Sequence, residues 1–355
     1  MTETEDTTGT AAARIAPGIR LLDSTLRDGS HGIQHRYTPE QVALIAGKLD
    51  EAGMHSIGVG HGDGLGASSI QYMRSLHTDD ELLTVARRAI RRARLAVTFQ
   101  PGIGTKQQLE RAAELGADLV RIATHCTEAD ISIQHIGLSR DLGMDVHGDL
   151  MMPHMTTPET IARQARIMVD AGATGVHIMD SAGALTMDDV KARIAAMLGE
   201  FGGEAEAGIH AHQNLSLAVA NTIVAFQEGA TLADACLAGA GAGAGNCQME
   251  ALVAVMEKVG LRTGIDLWTL EDIADQIVRP IMTTPPIVDR TTLTQGFAGV
   301  PGSFLHHAFR AAERFDVDAR DVLVEVGRRK SVGGQEDLVI EVAARLAARE
   351  RPAAG

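Results

Sequence analysis

Short β-type runs alternate with longer amphipathic stretches along most of this chain, and that rhythm limits its fold more than any other feature. Candidate strands lie at residues 19–24, 55–59, 95–99, 119–122, 145–150, 175–179, 207–210 and 235–237. Between them, residues 38–52, 106–115, 158–171, 187–198 and 216–228 carry helical periodicity. Thr38-Pro39-Glu40, Thr157-Pro158-Glu159 and Thr186-Met187-Asp188 each set a hydroxyl cap before proline or acid, as helix starts require. Gly53, Gly116, Gly172 and Gly229 stand just past helix ends, where a left-handed residue closes the last turn. Repeated strand–helix units of about 30 residues build a parallel sheet, because a parallel neighbour needs a long crossover. Eight units predict an α/β fold closed into a (β/α)8 TIM barrel of about 250 residues. An open doubly wound sheet is the competitor, weakened because no Gly-x-Gly-x-x-Gly follows the first strand.

The chain has 355 residues, so a barrel leaves a substantial remainder. Residues 1–16 are acidic and hydroxyl-rich, resemble neither a signal peptide nor a basic anchor, and read as a disordered tail. Residues 17–262 form the predicted barrel. After Gly260 the rhythm changes: Pro280, Pro285 and Pro286 interrupt, and helical patterns cover 267–279, 303–315, 319–328 and 337–347. Residues 263–355 are therefore expected to be a helical C-terminal region. A hydrophobic content of 45% suits a large core. A net charge of −14 argues against nucleic acid or an anionic membrane as partner, though not against a small anion bound locally. No apolar run approaches the roughly 18 residues that a membrane span needs. Cys126, Cys236 and Cys247 show no pairing or zinc spacing, which points to a reducing cytoplasm.

In TIM barrels the chemistry sits at the C-terminal ends of the strands. The first strand leads into Asp23-Ser24-Thr25-Leu26-Arg27-Asp28-Gly29-Ser30-His31, and the second into His61-Gly62-Asp63-Gly64. The fourth is read as ending in Arg121, the sixth in Asp180-Ser181 and the seventh in His210-Ala211-His212. Spacing of two on a strand points both imidazoles of His210 and His212 the same way, able to share one metal, although loop histidines also occur so paired. With the carboxylate of Asp28 they suit Mn²⁺, Fe²⁺, Co²⁺ or Zn²⁺ better than Mg²⁺. Arg27 offers a permanent cation with a planar fork, or else a structural ion pair. His31 suits proton transfer near neutral pH. Asp180 and Ser181 could bond substrate oxygen, or Ser181 could cap a helix. The glycine-rich run 239–245 could meet an anion through backbone N–H groups, or be a tight turn.

Together these residues resemble the signature of the metallolyase TIM-barrel superfamily, which includes isopropylmalate synthase, homocitrate synthase and hydroxymethylglutaryl-CoA lyase. Within it, the segments His61-Gly62-Asp63-Gly64-Leu65-Gly66, Pro101-Gly102-Ile103-Gly104-Thr105, Asp180-Ser181-Ala182-Gly183 and Gly208-Ile209-His210-Ala211-His212-Gln213-Asn214 are similar to the 4-hydroxy-2-oxovalerate aldolase family, the pyruvate aldolases of aromatic meta-cleavage pathways. The resemblance implies Mn²⁺ (with Co²⁺, Mg²⁺ or Zn²⁺ as alternatives) on Asp28, His210 and His212. It implies Arg27 steadying a pyruvate enolate, His31 as general base, and Ser181 and His210 lining the 2-oxo-acid site. It implies small-molecule substrates, a 2-oxo acid and an aldehyde. It also implies an acylating aldehyde dehydrogenase docked on the C-terminal region, or a homodimer. The chain departs from the family pattern at Thr98, Phe99, Gln100 and Asp149, and at Pro301, where the family carries a tyrosine. These five are candidates for the aldehyde side, and their change suggests an aldehyde larger than acetaldehyde, in a setting that is biosynthetic rather than degradative.

Three other functions compete. A Schiff-base aldolase needs a lysine at a strand end, but Lys48, Lys191, Lys258 and Lys330 fall in helical patterns and Lys106 opens one. A Claisen-type synthase using an acyl-CoA would share the metal and arginine signature. A non-catalytic subunit that only stabilises a dehydrogenase would have no physical need for Arg27, Asp28, His31, His210 and His212 together.

Overall fold

The parallel strands close on themselves. In chain order they are β1 (Arg20–Asp23), β2 (Ser56–Gly58), β3 (Arg94–Phe99), β4 (Leu119–His125), β5 (Asp145–Met151), β6 (Gly175–Asp180), β7 (Glu206–Ala211) and β8 (Leu232–Ala235). Each pairs in parallel with the next, and β8 returns to β1 through Arg20–Leu232 to Asp23–Ala235. The computed structural model describes residues 18–332 and 334–350; the predicted tail 1–16 lies outside them.

Helices α1 (Pro39–Glu51), α2 (Asp79–Ala89), α3 (Lys106–Glu114), α4 (Ile133–Asp141), α5 (Pro158–Asp170), α6 (Met187–Phe201), α7 (Ala218–Glu228) and α8 (Met249–Lys258) surround the barrel. Thr38 and Thr186 form capping boxes and Thr157 caps α5, so the hydroxyl signals mark true starts. Gly53, Gly116, Gly172 and Gly229 all hold positive φ, from 89° to 113°. There a side chain would clash with the backbone carbonyl, which is why glycine stands at these helix exits.

Two strand predictions need correction. The eighth strand is Leu232–Ala235, not 235–237; residues 237–239 form a 3₁₀ turn. Asp234 in mid-strand hides it, since a charged residue reads as loop unless a buried partner neutralises it. The fourth strand runs on to His125, so Arg121 lies in its middle and inside the barrel rather than at its end.

Inside the barrel the layers differ in chemistry. Leu22, Ala96 and Leu119 form a small apolar cluster towards the strand starts. Two residues further along β4, Arg121 binds Asp234 through Nη1 at 2.7 Å to both oxygens and Asp149 through Nε at 2.9 Å. All three are buried. A buried cation is tolerated only with such partners.

After α8, the chain forms α9 (Leu267–Ile273), a π-helical turn (Ala274–Val278) and α10 (Arg279–Ile281). Pro280 cannot donate to the helix ladder, a common cause of such a local shift. Leu270, Ile273, Ala274 and Val278 bury in the barrel's own core. Helices α11 (Arg290–Ala298), α12 (Ser303–Phe315), α13 (Ala319–Arg328) and α14 (Asp337–Glu350) contribute to a second core, centred on Val300, Phe304, Val322, Val326 and Val339. Lys330 falls just past α13 rather than inside a helix, and its Nζ donates to Met155 O at 2.9 Å, tying this unit to the β5 loop.

Candidate active site

The loop after β1 turns at once into a 3₁₀ segment, Asp28–Ile33, which carries Asp28 and His31 over the barrel mouth. Strand β7 ends beside it and delivers His210, with His212 just beyond. His210 Nε2 lies 3.2 Å and His212 Nε2 3.6 Å from Asp28 Oδ2. The other ring nitrogens are already engaged: His210 Nδ1 meets Asp234 Oδ2 at 2.9 Å, and His212 Nδ1 meets Asp180 O at 2.9 Å. Acceptors at both Nδ1 atoms hold a proton there and aim both Nε2 atoms at one carboxylate, the arrangement that metal-ligating histidines use. The donor set, two imidazoles and one carboxylate, fits a borderline divalent cation.

The electrostatics agree. Burial opposes ionisation of Asp28, but the Arg27 charge and hydrogen bonds from His210 and His212 outweigh it and hold the carboxyl well below its usual range. Burial also opposes charge on His210, yet Asp234 and Asp28 lift it to about 9. Two carboxylates thus draw a positive charge to His210 Nε2, where a cation can replace the proton.

Arg27 is buried beside this cluster, with Nη1 3.4 Å from Asp28 Oδ1 and donating to Gly62 O at 3.1 Å. His31 Nε2 stands 3.8 Å from Asp28 Oδ1 and 3.9 Å from Asp63 Oδ2, with the ring partly open to solvent. Ser181 is half-buried past β6, its Oγ 3.3 Å from Met179 O. Asp180 is spent otherwise: its carboxylate accepts from Ala184 N and Leu185 N, shaping the loop instead of facing substrate.

The aldehyde-side candidates divide. Thr98 lies two residues beyond Ala96, on the inner face of β3, and Gln100 Nε2 donates to Asp63 O at 2.9 Å, next to His31. Phe99 points the opposite way, as strand alternation requires, into the helix layer 4.9 Å from the His135 ring. Asp149 sits in the Arg121 network, where it binds a cation rather than shapes a pocket. Pro301 opens the turn before α12, whose neighbour Gly299 accepts from His154 Nε2 at 2.9 Å.

The glycine-rich run is a tight turn: the amides of Gly239, Ala240, Gly245 and Asn246 all bond to carbonyls within residues 236–242. Asn246 at its end pairs with His212 as an isolated bridge, and its Oδ1 is buried without a hydrogen-bond partner among the described residues. Reading the sequence missed Asn246 and Asp234. Asp234 carried no signal at all, and the only hint for Asn246 was its place after the glycines.

A TIM barrel with a carboxylate and a His-x-His pair at its mouth defines a metal-dependent lyase of the HMGL-like class, and the HMGL-like family model matches residues 18–277. Residues 286–348 match the DmpG-like communication domain. The chain belongs to the 4-hydroxy-2-oxovalerate aldolase family. It is 51% identical to the 4-hydroxy-2-oxovalerate aldolase of Carboxydothermus hydrogenoformans over 94% of this chain and 98% of that one. Its identity to the enzyme of that name from Moorella thermoacetica is 50%, with the same coverage. The carboxyl transferase domain of Rhizobium etli pyruvate carboxylase shares the fold at a TM-score of 0.76 and 16% identity, over 94% of this chain and 61% of that one. The N-terminal domain of a putative aldolase from Bacteroides vulgatus does so at 0.68 and 23%, over 81% and 95%.

Proposed function

We propose that this protein catalyses reversible aldol cleavage of a 4-hydroxy-2-oxo acid of the 4-hydroxy-2-oxovalerate kind, giving pyruvate or 2-oxobutyrate and an aldehyde. The chain is a metal-dependent aldolase, a carbon–carbon lyase. The observation that carries this reading is the pair of Nε2 atoms facing one Asp28 oxygen while both Nδ1 atoms are held from behind. A divalent cation held by Asp28, His210 and His212, Mn²⁺ in our reading, supplies Lewis acidity at the 2-oxo group.

Arg27 binds the carboxylate or the developing enolate oxygen with its planar fork. His31 removes the C4 hydroxyl proton. The electron pair of that O–H bond forms the aldehyde carbonyl and the C3–C4 bond breaks. Its pair becomes the enolate, which takes a proton at C3 and leaves as the 2-oxo acid. Ser181 lines the 2-oxo-acid pocket, and the change of the family's tyrosine to Pro301, together with Thr98 on the inner face of β3, leaves room for an aldehyde larger than acetaldehyde.

The helical region 263–355 docks an acylating aldehyde dehydrogenase, which takes the aldehyde onward. The communication-domain match supports this, as do Phe297 (74% exposed), Leu293 and Phe309 on α11 and α12. Three buried, unpaired thiols suit a reducing cytoplasm.

The test is pyruvate release from 4-hydroxy-2-oxovalerate by chelator-stripped protein, with Mn²⁺, Co²⁺, Mg²⁺ or Zn²⁺ restored singly. Activity returning with metal and without acyl-CoA supports the reading, and His31→Ala and Arg27→Lys should each cost about 10²-fold or more. Activity indifferent to chelation, or dependent on acetyl-CoA as a Claisen synthase requires, overturns it.

A further inference from the structure

We infer that Gly62 is a positioning residue that sets where the His31 imidazole stands; this rests on the role given above to His31. Gly62 belongs to the loop after β2, in the His61-Gly62-Asp63-Gly64 motif, which the chemistry so far has not used.

The loop is pinned on several sides. His61 N and Gly66 N donate to the two oxygens of Asp79, at 3.3 and 3.1 Å. Asp63 N donates to His61 Nδ1 at 3.0 Å, His61 Nε2 meets Met73 O at 2.9 Å, and Gln100 reaches Asp63 O. The Gly62 carbonyl accepts from Arg27, so this peptide stands in fixed register with Asp28.

Against that fixed peptide the His31 ring rests directly. A Cβ on residue 62 would lie 2.4 Å from His31 Nε2, 2.6 Å from Cδ2 and 2.8 Å from Cε1. No real contact is that close, so the ring would have to move from its present place. It has little freedom to shift and stay, because His35 packs edge-on against it at 4.7 Å and is itself stacked on His61 at 3.8 Å. Gly62 is not among the residues with positive φ, so alanine brings no backbone strain of that kind. The three atoms nearest that Cβ all belong to the His31 ring, so the substitution acts first on that ring; the Gly62 amide, which donates to His35 Nδ1 at 3.4 Å, keeps its donor. The carbonyl that holds Arg27 is unchanged, and the metal ligands lie elsewhere.

The experiment is a double-mutant cycle of Gly62→Ala and His31→Ala, followed by aldol cleavage with Mn²⁺ added. Gly62→Ala should keep its Mn²⁺ content and lose about 10²-fold in kcat, the lower range for a general base, with KM much less affected. In the His31→Ala background the same substitution should cost nothing further, because the ring it displaces is gone. Should Gly62→Ala melt early, the double variant should melt with His31→Ala alone, because the clash goes with the ring. Wild-type kcat in Gly62→Ala overturns the inference, as does an equal loss in both backgrounds or a melting defect that persists without His31. If His31→Ala alone retains full activity, the catalytic role of His31 fails first, and that outcome is distinct from the others.

Discussion

Asp234→Asn probes how the barrel interior controls the metal site. Asp234 accepts from His210 Nδ1 on one side and from Arg121 Nη1 on the other. Asparagine keeps the volume but has one acceptor and one donor end. If its oxygen faces His210, its amide faces the Arg121 donor; if reversed, His210 must move its proton to Nε2 and lose the lone pair aimed at Asp28. Either choice sets a donor against a donor, worth about 1–3 kcal/mol when buried. Loss of such an outer partner weakens metal binding by about 10–100-fold, or about 1.4–2.8 kcal/mol at 1.4 per tenfold. Arg121 is not orphaned, because Nε still binds Asp149. The fold should therefore lose less than the roughly 3–5 kcal/mol of a broken buried pair. The assay is Mn²⁺ titration of stripped protein against a chromophoric chelator, with unfolding midpoints in parallel. Asp149→Asn is the control: it touches Arg121 but not His210, so it should lower stability and spare metal affinity. An unchanged Kd in folded Asp234→Asn, or equal weakening in both variants, refutes the reasoning.

Removing a ligand itself should cost more: His212→Ala should weaken Mn²⁺ binding by well over the roughly 100-fold attached to an outer partner, and wild-type metal content with full activity would exclude His212. The aldehyde preference is tested by comparing kcat/KM for acetaldehyde and longer aldehydes with pyruvate saturating. Each methylene in an apolar pocket is worth about 1–3 kcal/mol, so preference should move back toward acetaldehyde in Pro301→Tyr, and an unmoved preference for acetaldehyde speaks against the larger pocket. His147 gives a pH prediction, because burial, aided by the Arg121 charge, pushes it down to about 3 from an ordinary 6.5. The unfolded chain then binds the extra proton, so its stabilising effect is complete above pH 6.5 and is lost as pH falls towards 3. At pH 5 the loss from this residue is about 2 kcal/mol. Denaturant unfolding at pH 7 and 5 should show a smaller acid loss in His147→Asn, and an equal loss would show that His147 is not buried neutral.

The sequence by itself determined the barrel and most of the residues at its mouth. Helix caps such as Thr38 and exit glycines such as Gly229 act within one turn of chain, so their meaning is local and survives without tertiary context. The spacing of His210 and His212 likewise needs only strand geometry to place both rings on one side. Side-chain direction within a known strand was also legible in principle: Phe99 stands one residue from Thr98 and so faces the other way. Only the tertiary structure decided the meaning of the buried ions. Asp234 looks like a loop residue, and becomes a strand residue because Arg121, 113 positions away in the chain, neutralises it; Asp149, already within the predicted fifth strand, owes its buried place to the same cation 28 positions away. Nor does any local pattern say that His31, Arg27 and Gly62 meet. The first two lie on the loop after β1 and the third on the loop after β2, and the closed barrel brings those loops together because the desolvated interior leaves each polar group only the partners that the fold supplies.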